Sequence, residues 1–228
     1  MLSAGAAKGL VLALQEPFAG RAAVEFRCTF GAVGAIREKL LAGEPCDLVI
    51  LTQAIIDALA AEGRVDATTR APLGRVCTGI AVPASAPVPR IGSPGELRAA
   101  LCSARGIYLP DPERATAGIH FVNVLRELGI FEEVRARLRP FPNGATAMRA
   151  MADAADPDLI GCTQVTEINY TPGVVLCGVL PAEFELATTY ALAVTRMAPA
   201  AAIAGEFAAL LTGPASVALR REGGFVVD

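Results

Sequence analysis

Apolar and polar positions along the chain switch repeatedly between a helical and a strand-like period. Residues 1–5 read as the end of a first strand. Leu10, Leu14 and Phe18 then fall on one helical face, so 8–18 is expected to be a helix. Residues 24–30, Val-Glu-Phe-Arg-Cys-Thr-Phe, alternate with period two, as a half-buried strand does. The spacing predicts a helix over 34–42, stopped by Gly43-Glu44-Pro45. Leu48-Val49-Ile50-Leu51 is a continuous apolar run, the pattern of a strand buried on both faces. A further helix, 55–62, ends at Gly63.

The second half repeats this rhythm. A strand over 76–82 is followed by the proline-rich stretch 83–89. Ser93 is placed to cap a helix, with Pro94 at its first position and Glu96 completing a capping box. A strand over 106–109, a helix over 116–128, a helix over 145–155 and strands over 158–162 and 174–179 follow. Residues 188–195 form a long β-type run, and helices over 200–211 and 214–221 close the chain. Strand then helix, repeated, implies parallel or mixed sheets covered by helices. The expected fold is therefore α/β, with two Rossmann-like lobes. The proline-rich stretch and the 188–195 run read as two crossings. They place lobe 1 at 1–82 and 190–228, and lobe 2, inserted in it, at 83–189. In folds of this plan a ligand is expected in a cleft between the lobes, at strand carboxyl ends and helix N-termini.

Composition removes several functional classes. The 228 residues suffice for a substantial core, and 53% hydrophobic against 19% charged residues describes a globular chain. A net charge of -3 without any Lys/Arg run offers no surface for nucleic acid. The absence of Trp, with only 5% aromatics, argues against stacking platforms for sugars or bases. The cysteines Cys28, Cys46, Cys77, Cys102, Cys162 and Cys177 form no CxxC pair, and His120 is the single histidine. A zinc centre is therefore not expected, and neither is a cofactor. Free thiols beside apolar neighbours read as small core residues and suit a reducing compartment. No apolar run is long enough to span a bilayer, so membrane insertion is not expected. The opening residues carry neither a charged n-region nor an h-region. As it stands the sequence reads as cytoplasmic; a secretory signal removed or missed would make the protein periplasmic.

Four segments carry a family resemblance, in order and nearly end to end: Ser3-Ala4-Gly5-Ala6-Ala7-Lys8-Gly9-Leu10; Phe30-Gly31-Ala32-Val33-Gly34 with Leu41-Ala42-Gly43-Glu44-Pro45-Cys46-Asp47-Leu48; Asp111-Pro112-Glu113-Arg114-Ala115-Thr116-Ala117-Gly118-Ile119; and Leu211-Thr212-Gly213-Pro214 with Gly224-Phe225. Through them the chain resembles the periplasmic molybdate-binding proteins, of the type 2 periplasmic-binding-protein fold. The resemblance implies a substrate-binding protein that closes around a small anion, with an ABC permease as partner. It also exposes departures. Where the family places oxyanion-holding serines in the first two turns, this chain has Ala6 and Val33. Where it places a tyrosine, this chain has Cys162. Each missing donor to a desolvated oxyanion costs about 1–3 kcal/mol, so an organic carboxylate is expected rather than molybdate.

The expected ligand-binding set is Ser3, Ala6, Ala7, Lys8, Val33, Gly34, Thr116, Ala117, Asn143, Gly144, Cys162, Thr163, Gln164 and Tyr190. Small residues at helix starts let a ligand reach backbone N–H groups. Lys8 reads either as a solvated surface lysine or as a partner for a carboxylate. Thr116 reads as an N-cap, Asp47 as a structural residue, and His120 as a satisfied histidine within a helix. Aconitate isomerases look similar to this lineage, so a carboxylate isomerase is the alternative. Lys8 and Glu167 would then supply the cationic clamp and the base. A ligand-sensing domain acting through a partner is a third reading.

Overall fold

The computed structural model describes residues 1–227. Strand β1 (Leu2–Ala4) passes through a 3-10 turn at Gly5–Ala7 into α1 (Lys8–Ala22). Strand β2 (Thr29–Gly31) is followed by α2 (Val33–Leu41), and β3 (Leu48–Thr52) by α3 (Gln53–Ala61). The long strand β4 (Ala71–Pro83) leads to α4 (Pro94–Ser103), β5 (Gly106–Pro110) and α5 (Thr116–Glu127). The short α6 (Phe131–Val134), β6 (Leu138–Phe141), α7 (Gly144–Ala154) and β7 (Leu159–Gln164) come next. Then come α8 (Val165–Asn169), β8 (Val174–Val179), β9 (Ala187–Val194), α9 (Ala201–Thr212) and α10 (Val217–Gly223).

The chain divides into two compact units, Met1–Val76 with 188 onward, and Cys77–Ala187. In unit 1 the sheet order is β2-β1-β3-β9. The first three strands are parallel, Leu2 lying opposite both Thr29 and Val49. β9 is antiparallel to β3, with Thr52 opposite Tyr190. Leu48 to Leu51 are all buried, as their unbroken apolar run requires. In unit 2, β4 pairs antiparallel with both β7 and β8, and β5 lies parallel between β7 and β6. The α/β architecture expected from the strand-helix rhythm is thus present in both units.

Strand alternation sorts the residues of β7 between two cores. Ile160 and Cys162 enter a cluster with Phe121 and Leu125 of α5. Leu159 enters a second cluster with Met148 and Met151 of α7, and Gly161 faces the same two methionines. Successive side chains of a strand point to opposite faces, so Thr163 shares the α7 side.

Several elements differ from expectation. β2 spans only 29–31; residues 24–28 have no ladder. α1 continues through Pro17 to Ala22, because burial of Leu10, Val11 and Phe18 outweighs the loss of one backbone bond. β6 escaped the pattern because it holds Pro140 and Arg139, residues suited to the sheet edge it occupies. α6 and α8 are too short to show a helical period. The crossings were expected at 83–89 and 188–195; the units divide at 76/77 and, at the start of the second run, at 187/188. The first division lies inside β4: Arg75 bridges Val226, while Gly79 already pairs with Thr163. The proline-rich stretch starts instead with a tight turn closed by the Ala86 N–H on the Pro83 carbonyl.

Candidate functional site

In unit 1 the carboxyl ends of β1, β2 and β3 lie on one side, because the strands are parallel. Each strand runs almost directly into a helix. None of α1, α2 and α3 has a side chain capping its first turn, and none carries an acidic residue there. At α2 and α3, and at the 3-10 turn ahead of α1, whose Lys8 N–H is already bonded to the Gly5 carbonyl, open N–H groups and the positive end of the helix dipole attract anions. Ala6 and Ala7 lie buried in the 3-10 turn. Val33, buried, and Gly34, half-buried, open α2. Lys8 is the exposed first residue of α1, and its Nζ stands 5.8 Å from the centroid of the Phe30 ring. That contact joins the start of α1 to the end of β2, as a cation over an aromatic face does.

Two expected ligand residues of unit 1 are engaged otherwise. Ser3 is fully buried within β1, and its hydroxyl donates to the Ala4 carbonyl at 3.0 Å. Tyr190 is buried in β9 opposite Thr52. Asp47 is structural, as expected: its Oδ1 accepts the Ala200 N–H at 2.9 Å, just ahead of α9.

Unit 2 presents parallel strand ends at β5, β6 and β7, but with different content. Glu167 of α8 is buried. The Thr163 hydroxyl donates to its Oε2 at 2.5 Å, and the Ala145 N–H donates to its Oε1 at 3.3 Å. The amides of Gly144 and Gln164 also donate to this carboxyl group. Gly144 and Ala145 are the first two residues of α7, so the N-terminus of that helix already holds a carboxylate belonging to the chain. Asn143 completes the cap, its Oδ1 accepting both the N–H and the hydroxyl of Thr146 at 2.9 Å. Only glycine fits at 144, because a Cβ there would overlap the Thr163 hydroxyl and the Glu167 carboxylate. Burial pushes the pKa of Glu167 up; the Thr163 hydroxyl and the surrounding amides pull in the opposite direction.

The structure therefore brings Asn143, Gly144, Thr163, Gln164 and Glu167 into one cluster. Cys162 is not part of it. Expected as a ligand contact, it points to the opposite face of β7 and is fully buried beside Ile80 and Phe121, where burial raises its pKa well above the ordinary thiol value. Thr116 is not an N-cap either: the capping position of α5 is Ala115, and no side chain caps the helix. The preceding turn is instead held by Asp111 Oδ1, which accepts from the N–H groups of Glu113 and Arg114 at 2.8 and 3.1 Å. Thr116, half-buried, and Ala117, buried, occupy the first turn of α5. His120 Nε2 donates to the Phe184 carbonyl at 2.7 Å, a structural role.

Phe30 and Ala145 were not anticipated as contributors. An Asn three residues ahead of a Thr is a legible cap signal for α7. The contact of Glu167 with Ala145 spans 22 residues and leaves no local trace. Among the described residues, no group of three or more His, Cys, Asp or Glu side chains is placed to share a metal ion, and no single helix is long and apolar enough to cross a membrane.

Two α/β units, the second inserted in the first, with bare helix N-termini at the carboxyl ends of parallel strands, define a solute-binding-protein fold. The chain belongs to the bacterial extracellular solute-binding protein family, whose pattern matches residues 1–226. The fold is similar to that of the periplasmic molybdate-binding protein of Azotobacter vinelandii, with a TM-score of 0.81 and 19% identity over 100% of this chain and 98% of that one. It is also similar to PEB3 with L-phospholactate bound, at a TM-score of 0.69 and 14% identity over 100% of this chain and 98% of that one. In sequence the chain is 28% identical over 160 residues to an aconitate isomerase of a Pseudomonas species, an alignment that takes in 68% of this chain. The same alignment spans 58% of that protein's own length. The resemblance to the molybdate-binding proteins thus holds at the level of fold and family.

Proposed function

We propose that this solute-binding protein takes a small organic anion, a di- or tricarboxylate in preference to molybdate, and delivers it to an ABC permease. The observation that carries this reading is the trio of uncapped, acid-free helix N-termini in unit 1, with Lys8 at the first of them. A carboxylate there meets backbone N–H groups and an ammonium group. Hydroxyl donors for a tetrahedral oxyanion are absent at Ala6 and Val33. In unit 2 the donors at the start of α7 are already engaged by Glu167. The structural relative with L-phospholactate bound supports an organic anion as a cargo this fold accepts.

A second reading, a carboxylate isomerase, is favoured by the aconitate isomerase relative. In that reading Lys8 is the cationic group that would hold the substrate carboxylate. A thermal-shift panel of molybdate, sulfate, phosphate, citrate, aconitate and tricarballylate, each hit followed by NMR over time, tests both readings. A carboxylate that raises Tm and stays unchanged supports binding. A carboxylate that is converted supports catalysis. Stabilisation by molybdate or sulfate alone would overturn the preference for carboxylates.

A further inference from the structure

Two strands of unit 2 lie at the margin of its sheet, and they are finished differently. β6 pairs with β5 alone, and its backbone is shielded. Pro140 brings no N–H, and the Arg139 guanidinium donates to the Ala136 and Leu138 carbonyls at 3.0 and 3.1 Å. Proline and charge at a sheet edge keep other chains from adding to it. Among the described residues β8 pairs with β4 alone, and it has neither device. Its residues are Val-Val-Leu-Cys-Gly-Val, and no charged residue occurs anywhere from Ile168 to Ala182. Val175 and Val179 are 40% and 47% exposed. Nothing in the proposed anion chemistry uses this edge.

Backbone direction and charge say what fits it. The Leu180 N–H donates to the Thr78 carbonyl at 3.1 Å, and the Gly173 carbonyl accepts the Ala84 N–H at 2.9 Å, so both residues turn toward β4. Alternation then turns the N–H and C=O of their neighbours, Val179 and Val174, outward. Between them Cys177 is an extra residue, since Gly178 faces Ile80 while Leu176 faces Ala81. The edge therefore offers one set of backbone groups near each end, related by an axis between Leu176 and Cys177. An edge of that form is complementary to itself turned through half a circle. A two-fold contact also returns every charge of a strand onto the same strand of the other copy with the same sign. Like charges across a pair of strands are destabilising, and β8 brings none.

We propose that β8 is the contact strand of a two-fold dimer of this chain, with Val174 of one copy opposite Val179 of the other in an antiparallel ladder. The pairing repeats on both sides of the axis and covers the exposed valines. Each copy has one such edge, so association stops at two. A single strand pair buries less than the roughly 1,200 Å² of standard interfaces, so the dimer is a weak one.

The test is sedimentation equilibrium from about 10 µM to 1 mM, the range in which so small an interface associates. The weight-average mass is expected to rise from one copy toward two and no further. Val179→Lys and Val175→Lys, both at exposed positions, are each expected to weaken association at least tenfold, because each sets two lysines across the axis. Folding of each variant is checked by its Tm. By NMR, hydrogen exchange at the Val174 and Val179 amides is expected to slow about threefold between 0.05 and 1 mM, while the Leu180 amide, already bonded to Thr78, does not change. A single copy at 1 mM would overturn the proposal. So would growth beyond two copies, or a dimer that both lysine variants leave intact.

Discussion

The helix N-termini at the strand ends of unit 1 and the N-terminus of α7 in unit 2 have been treated in opposite ways, while α5 of unit 2 begins uncapped and acid-free like those of unit 1. In unit 1, α1, α2 and α3 begin without a capping side chain or a first-turn acid. In unit 2, α7 begins with Asn143 on one amide and the Glu167 carboxyl on two others. A helix N-terminus is an anion site whoever supplies the anion. Unit 2 supplies its own at α7 and gains a rigid, buried cluster. Unit 1 leaves three such ends open beside a lysine, which is the arrangement expected of a surface that waits for a ligand.

The comparison can be broken most severely at Gly144. Gly144→Ala puts a methyl group into the Thr163 hydroxyl and the Glu167 carboxylate, and is expected to cost about 2–3 kcal/mol in denaturant unfolding. Unchanged stability would mean that the cluster is loosely packed. Glu167→Ala should come next, at about 2 kcal/mol, because it strands buried N–H donors.

Glu167→Gln separates charge from shape. The folded-state pKa of Glu167 is raised above its ordinary value of 4.5, with burial the main cause. Its favourable contribution is therefore complete below pH 4.5 and is lost as pH rises through the folded-state value. The Tm of Glu167→Gln relative to the parent is expected to climb from acid toward neutral pH. A difference independent of pH would show that the group titrates as it does when unfolded.

In unit 1, Lys8→Ala is expected to weaken carboxylate binding about tenfold, or 1.4 kcal/mol. Tm without ligand should fall by about 2 °C or less, since Lys8 is exposed and gives up only its contact with the Phe30 ring. Ala6→Ser is a smaller perturbation that returns one hydroxyl donor. It should raise affinity for sulfate or molybdate by about threefold, less than a full hydrogen bond is worth.

Sequence reading reached the elements whose signal is local. The apolar run 48–51, the Ser93-Pro94 helix start and the strand-helix rhythm all appear where the pattern puts them. It overextended β2, because an alternating segment forms a strand only where a partner lies beside it. It missed α8, whose five residues are positioned by tertiary contacts such as the Thr163–Glu167 bond. In the candidate site, Lys8, Asn143, Gly144 and Thr163 were legible as helix starts and strand ends. The face of β7 was not. Cys162 and Thr163 are neighbours in sequence, and only the packing of Phe121 against one face and Gly144 against the other shows which side chain meets the cluster.

The most direct test of the central claim is titration calorimetry of the parent protein and Lys8→Ala with tricarballylate, run beside molybdate. The account predicts saturable binding of the tricarboxylate that Lys8→Ala weakens about tenfold, and a weaker response to molybdate. Tight molybdate binding with no heat from any carboxylate, and no effect of Lys8→Ala, would contradict it.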